Sequence, residues 1–128
     1  MLDTNTVSHL VKGHPAIASR VLATPMADLC ISSITQGELM FGLAKRPDAR
    51  RLHLAINEFL KRVDVVAWDG NIALSYGPLR ATMEQSGQVL GSLDLLIAAH
   101  AIGAGAVLVT NDRAFAMVPG LVREDWCV

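Results

Sequence analysis

Aromatic residues make up only 5% of this 128-residue chain, and there are just two cysteines, so neither ring stacking nor disulfides can be the main source of stability. Cys30 and Cys127 are far apart and form no C-x-x-C pair, which excludes a thioredoxin-like motif and gives no sign of an oxidising compartment. Cys30 sits in an apolar run and reads as a small core residue. The four histidines (His9, His14, His53 and His100) show no zinc spacing. His100 lies in an apolar helix and reads as packed and satisfied. There is no Walker A lysine motif and no G-x-S-x-G. Gly103-Ala104-Gly105 lacks the third glycine of a dinucleotide fingerprint. The polar start Met1-Leu2-Asp3 is no signal peptide, and repeats and low-complexity tracts are absent. The apolar stretch 93–110 has nearly the length of a membrane span. Asp94, His100, Gly103 and Gly105 divide it into a helix and a strand, so the expectation is a soluble cytoplasmic protein.

Hydrophobic residues are abundant, at 52%, and mean hydropathy is +0.38. With so few aromatics the core must be aliphatic. Strands buried on both faces, together with a surface that meets a partner, are the expected source of the excess. The net charge of −1 does not announce a nucleic-acid binder. Yet Lys45, Arg46, Arg50, Arg51, Lys61 and Arg62 hold six of the eleven basic residues. They form either a solvated helix face or a phosphate-backbone contact.

The length fits one domain over residues 1–128. Apolar runs and turn residues predict short strands at 1–3, 28–32, 63–68, 106–109 and 121–123. Helices are expected at 4–11 (capped by Thr4 or Asn5), 15–23 behind Pro15, and 34–44 behind Ser32 or Ser33. Further helices are expected at 47–61, at 70–85 capped by Asp69, and from a Ser92 cap to Gly103, with a helical turn at 112–116. The apolar face of the 70–85 helix comprises Ile72, Ala73, Tyr76, Leu79 and Met83. This alternation predicts an α/β fold: a central, mostly parallel sheet flanked by helices on both faces.

Four acids stand out against that layout. Asp3 ends the first strand, Asp94 starts an apolar helix, and Asp112 follows the central strand through Thr110-Asn111. Glu38 lies about one turn into the helix after Ser32-Ser33. Each aspartate taken alone is explained by helix capping. Together they lie where the carboxyl ends of parallel strands open a ligand crevice. Acids converging there repel unless a cation joins them, and an all-oxygen set selects a hard ion such as Mg²⁺ or Mn²⁺. Capping needs one of Thr110, Asn111 and Asp112, not all three. Asn5, Thr110 and Asn111 are therefore read as groups that orient the acids or hold waters beside them.

The ordered set Met-Leu-Asp-Thr-Asn, Ile-Ser-Ser-Ile-Thr-x-x-Glu-Leu, Asp-Leu-Leu-Ile-Ala-Ala-His-Ala and Val-Thr-Asn-Asp-Arg-x-Phe resembles PIN-domain proteins. The nearest likeness is to the VapC toxins of VapBC toxin–antitoxin pairs, and residues 118–126 share it. The resemblance covers essentially the whole chain. It implies a Mg²⁺- or Mn²⁺-dependent endoribonuclease whose acidic quartet maps onto Asp3, Glu38, Asp94 and Asp112. Asp3, Asp94 and Asp112 would be metal ligands, and Glu38 would ligate or orient the attacking water. The resemblance also implies a homodimer, a VapB-like antitoxin and a structured RNA substrate, with initiator tRNA as one candidate. The helical faces within 48–85 are the expected dimer or antitoxin surface. Two rivals remain: a haloacid-dehalogenase-like phosphatase, in which Asn5 would replace the second aspartate, and a PIN-like module that binds RNA or protein without cutting.

Overall fold

The computed structural model describes all residues from Met1 to Val128. Helix α1 (Thr4–Val11) and helix α2 (Pro15–Ala23) open the chain, followed by a short 3-10 helix at Met26–Asp28. Strand β1 (Cys30–Ser32) runs straight into α3 (Ser33–Ala44). Then come α4 (Arg50–Arg62), β2 (Asp64–Val66), α5 (Gly70–Gln85) and α6 (Ser92–Gly103). Strand β3 (Leu108–Val109), a 3-10 helix (Arg113–Met117) and β4 (Arg123–Glu124) complete the fold.

The strands are shorter than their apolar runs suggest, and they form two parallel pairs, β1 with β2 and β3 with β4. Residues 1–3 join the pairs. The Leu2 amide donates to the Cys30 carbonyl at 2.9 Å, while the Asp3 amide donates to Val109 at 3.1 Å and the Val109 amide to Met1 at 2.8 Å. Leu2 bridges Val109 in parallel sense. The layer order is thus β2, β1, residues 1–3, β3, β4. Side chains alternate across it. Leu2, Ile31 and Val109 point into a core with Val7, Ile17, Leu39, Ile56 and Trp126. Met1 and Leu108 point the other way, against Leu79, Met83, Ile97 and Phe115. The expected α/β architecture, with helices on both faces of a parallel sheet, is therefore present.

Several local expectations are corrected. The cap of α1 is Asp3, not Thr4 or Asn5: its carboxylate accepts from the Thr6 amide at 2.8 Å. Ser32, not Ser33, caps α3. Helix α6 starts behind Gly91, with Ser92 already inside it and no side-chain cap. Helix α4 begins at Arg50 rather than 47, and the segment before the first strand forms a 3-10 turn. The turn after Asp112 is a 3-10 helix, and the last strand lies at Arg123–Glu124. Helix α5 buries Ile72, Leu79 and Met83 as expected, but Ala73 is exposed. Asp69 caps it by accepting from the Asn71 and Ile72 amides.

Helix α6 is enclosed on nearly every side: residues 97–101 are all buried. Such a helix belongs at the centre of a domain rather than on its surface. No helix is long and apolar enough to cross a membrane. Within the span 48–85, Leu54 and Leu74 are strongly exposed, but so are Leu22, Phe41 and Val89 outside it.

Candidate active site

The carboxyl ends of the strands carry the acids toward one edge of the sheet. Asp3 is buried, since it leaves residues 1–3 on the same side as Met1 by strand alternation. Its carboxylate is held by the Thr6 amide, and the Thr6 hydroxyl donates to the Val109 carbonyl at 3.0 Å. That bond ties the start of α1 to the end of β3. Past β3, the buried Thr110 accepts from the Asp112 amide at 3.1 Å, and Asp112 accepts from the Ala114 amide at 2.9 Å. The tight turn fixes Asp112 at the same edge.

Glu38 reaches the site from α3. The Thr4 hydroxyl donates to Glu38 Oε1 at 2.7 Å, and the Thr35 hydroxyl lies 3.4 Å from that of Thr4. Thr4, Thr6 and Thr35 were not singled out from the sequence as site residues. Their only signal was local: Thr4 and Thr6 follow Asp3 by one and three residues, and Thr35 sits one turn before Glu38 on the same helix face. Asp94 comes from the first turn of α6 and is half-buried. The Trp68 indole donates to the Leu96 carbonyl at 3.0 Å and helps hold that turn in place.

Asp94 reports the electrostatics of the group. Its carboxyl is pushed above the ordinary aspartate value of 3.8, first by burial and then by the negative charges of Asp112, Glu38 and Asp3. Asp3, Glu38 and Asp112 thus lie near enough to Asp94 for their charges to act on it. They are not drawn up around a common point: no three acidic, histidine or cysteine side chains stand in a metal-chelating arrangement. The donor set still fits a hard divalent ion, because it is all oxygen and its negative charge is unbalanced by any lysine or arginine ion pair.

The neighbouring amides play smaller parts. Asn5 and Asn111 are exposed. Cys127 lies 3.7 Å from His9 Nδ1. Both cysteines are free and half-buried. His100 is wholly buried, as expected, but only half satisfied. Its Nδ1 lies 2.7 Å from Ser32 Oγ, while Nε2 has no partner. Burial pushes its imidazole below the ordinary value.

A parallel sheet with helices on both faces, and with the central helix α6 buried over residues 97–101, matches a known family. The PIN domain model aligns with residues 1–121, and the chain belongs to that family. It is 37% identical to a tRNA(fMet)-specific endonuclease VapC of Salmonella typhimurium, over 99% of this chain and 97% of the relative. It is 35% identical to a ribonuclease VapC2 of Rickettsia felis, over 98% of this chain and 96% of that one. The solved structure of DNA-bound VapBC from Salmonella typhimurium superposes with a TM-score of 0.93 at 38% identity, covering 99% of this chain and 97% of the other.

Proposed function

We propose that this chain is an endoribonuclease toxin of the VapC type, cleaving RNA phosphodiester bonds with Mg²⁺ or Mn²⁺ and restrained by a cognate antitoxin. The observation that carries the reading is the PIN-family match over residues 1–121 joined to a set of four acids, with Glu38 held by the Thr4 hydroxyl and Asp94 within reach of the charges of Asp112, Glu38 and Asp3. A structural capping role for each acid gives no reason to gather four of them.

Asp3, Asp94 and Asp112 would hold the ion. When bound, a divalent ion lowers the pKa of water and offsets charge on the scissile phosphate. Glu38, held by the Thr4 hydroxyl, would orient the attacking water and accept its proton. Thr110 keeps the Asp112 backbone in position, and the Thr6 amide keeps Asp3 in one rotamer. The phosphatase reading loses its footing, because the exposed Asn5 is not an acid and cannot pass on a proton.

The similarity to a tRNA(fMet)-specific endonuclease makes initiator tRNA the first substrate to try. The VapBC complexes among the solved relatives make a VapB-like antitoxin the expected partner; a homodimer of the toxin is expected from the sequence resemblance. A cytoplasmic site of action is the expectation that goes with an RNA substrate. The test is cleavage of total RNA and of tRNA with Mg²⁺, Mn²⁺ or EDTA, wild type beside Asp94→Asn, with the ends mapped. Metal-dependent cuts absent from the variant are expected. RNA binding without turnover in either metal would instead favour the non-cutting module.

A further inference from the structure

The wall of the site around Glu38 carries features that the four acids do not explain. Two hollows meet along it, and both are lined by Thr4, Glu38, Gly42 and Lys45. The larger, of about 610 Å³, runs over the outer face of α3 past Gly37 and Phe41. The smaller, of about 170 Å³, lies between α1 and α3 and ends at Lys12 and Arg46.

Phe41 is 63% exposed, one helical turn from Glu38, and Lys45 Nζ stands 4.6 Å from its ring centroid. Lys45 covers part of the ring, and the apolar area still left in water would be stabilised by a further cover. Lys12, Lys45 and Arg46 take no part in any ion pair. By contrast Lys61 and Arg62, from the same basic run, are both paired with Glu58. Lys61 and Arg62 thus share Glu58 at the end of α4, while Arg50 and Arg51 stay unpaired at its start and Lys45 and Arg46, with Lys12 at the end of α1, stand unpaired along the hollow that Glu38 lines. Gly37 and Gly42 lie inside α3, where glycine is destabilising relative to alanine. A Cβ at either position would meet nothing within 4 Å, so packing within the chain does not require them. What they do is keep the wall bare beside Phe41.

We propose that this wall seats a single-stranded stretch of the RNA substrate, one base stacking on Phe41 and the adjoining phosphates contacting Lys45, Arg46 and Lys12. An aromatic platform beside unpaired cations is the arrangement that binds single strands without reading sequence. The bare α3 surface lets the backbone approach Glu38. This assignment rests on the ribonuclease reading above and names the part of the substrate that this wall grips.

The test is fluorescence anisotropy with a labelled single-stranded RNA of about ten nucleotides, in Ca²⁺ across a salt series, with a duplex of the same sequence alongside. Phe41→Leu should weaken single-strand binding roughly tenfold or more, while Phe41→Trp keeps it. Lys45→Gln and Arg46→Gln should each reduce the slope of log affinity against log salt by about 0.7. The duplex should respond less to Phe41→Leu than the single strand. If the wild type cuts RNA while all these variants bind as it does, the wall assignment is overturned and the nuclease reading stands. If the wild type neither binds nor cuts any RNA, both fall. If Phe41→Leu dissociates a dimer in sedimentation and leaves RNA affinity unchanged, the face belongs to a second copy of the chain and the assignment is overturned.

Discussion

Replacing Asp3 by asparagine and, separately, by alanine distinguishes its two duties. Its carboxylate caps α1 by accepting from the buried Thr6 amide at 2.8 Å, and it adds negative charge to the Asp94 cluster. Asparagine keeps a carbonyl oxygen for the cap and is as good a capping residue. It removes the charge. Alanine removes both, leaving the Thr6 N–H without its acceptor in a place where Asp3 is only 4% exposed. Losing a cap costs about 1 kcal/mol, and a stranded buried donor costs about 1–3 kcal/mol. The two descriptions overlap, so roughly 2 kcal/mol is the expected loss for Asp3→Ala. At an unfolding entropy of about 2 cal/mol/K per residue, that lowers Tm by roughly 7 °C. Asp3→Asn should leave the Tm in EDTA unchanged or slightly higher, because one of four mutually repelling charges is gone. Both variants should lose cleavage by orders of magnitude. Scanning calorimetry in EDTA, beside the RNA assay, decides the matter. If Asp3→Asn unfolds as early as Asp3→Ala, or cleaves RNA at the wild-type rate, the dual assignment is wrong.

Other outcomes follow from the same contacts. Mg²⁺ or Mn²⁺ at ten times its Kd should stabilise the wild type by about 1.4 kcal/mol, roughly 5 °C in Tm, and Asp94→Asn should lose most of that shift. Asp94 holds its proton more tightly folded than unfolded. Its contribution to metal-free stability is thus present at low pH and lost as pH rises from 3.8 through its raised folded value; Tm against pH in EDTA should flatten in Asp94→Asn. His100 has the opposite sign, because its folded imidazole resists protonation: its contribution is present above the ordinary value of 6.5 and lost as pH falls below it. His100→Leu should remove that slope, at most about 1.4 kcal/mol per pH unit, in urea titrations at several pH values. An alanine Cβ at Gly103 would lie 2.9 Å from Ile72 Cδ1 and 2.9 Å from Ser75 Oγ, so Gly103→Ala should cost about 1–3 kcal/mol. Gly37→Ala, with open space around it, should gain about 0.5–1 kcal/mol; equal effects of the two in chemical denaturation would contradict the packing described.

Local chemistry made much of the fold legible. Pro15 at the first turn of α2, Ser32 before α3 and Asp69 before α5 act within three residues of themselves, and each stands where its type predicts. The helical spacing of Ile56, Ile72, Leu79 and Met83 likewise identified buried faces. The errors fell where two local solutions compete. Asp3, Thr4 and Asn5 can each cap a helix, and the choice went to Asp3 because the sheet holds residues 1–3 extended by bonds to Cys30 and Val109. Strand lengths were overestimated because an apolar run marks burial, and a buried run beside a parallel sheet need not be paired along its whole length.

The sequence by itself determined the order of helices and strands, the aliphatic core and the identity of the four acids, since all of these depend on side-chain type and short spacing. Only the tertiary structure decided that Asp3, Glu38 and Asp112 lie near enough to Asp94 for their charges to act on it. It alone decided that Thr4 serves Glu38 and that His100 meets Ser32 across 68 residues of chain. It also decided that Lys61 and Arg62 share Glu58 while Lys45 and Arg46 stay unpaired beside Glu38. The reason is that such neighbours are brought together by the sheet, whose middle layer joins Leu2 to both Cys30 and Val109, and no local preference encodes a pairing between residues that far apart.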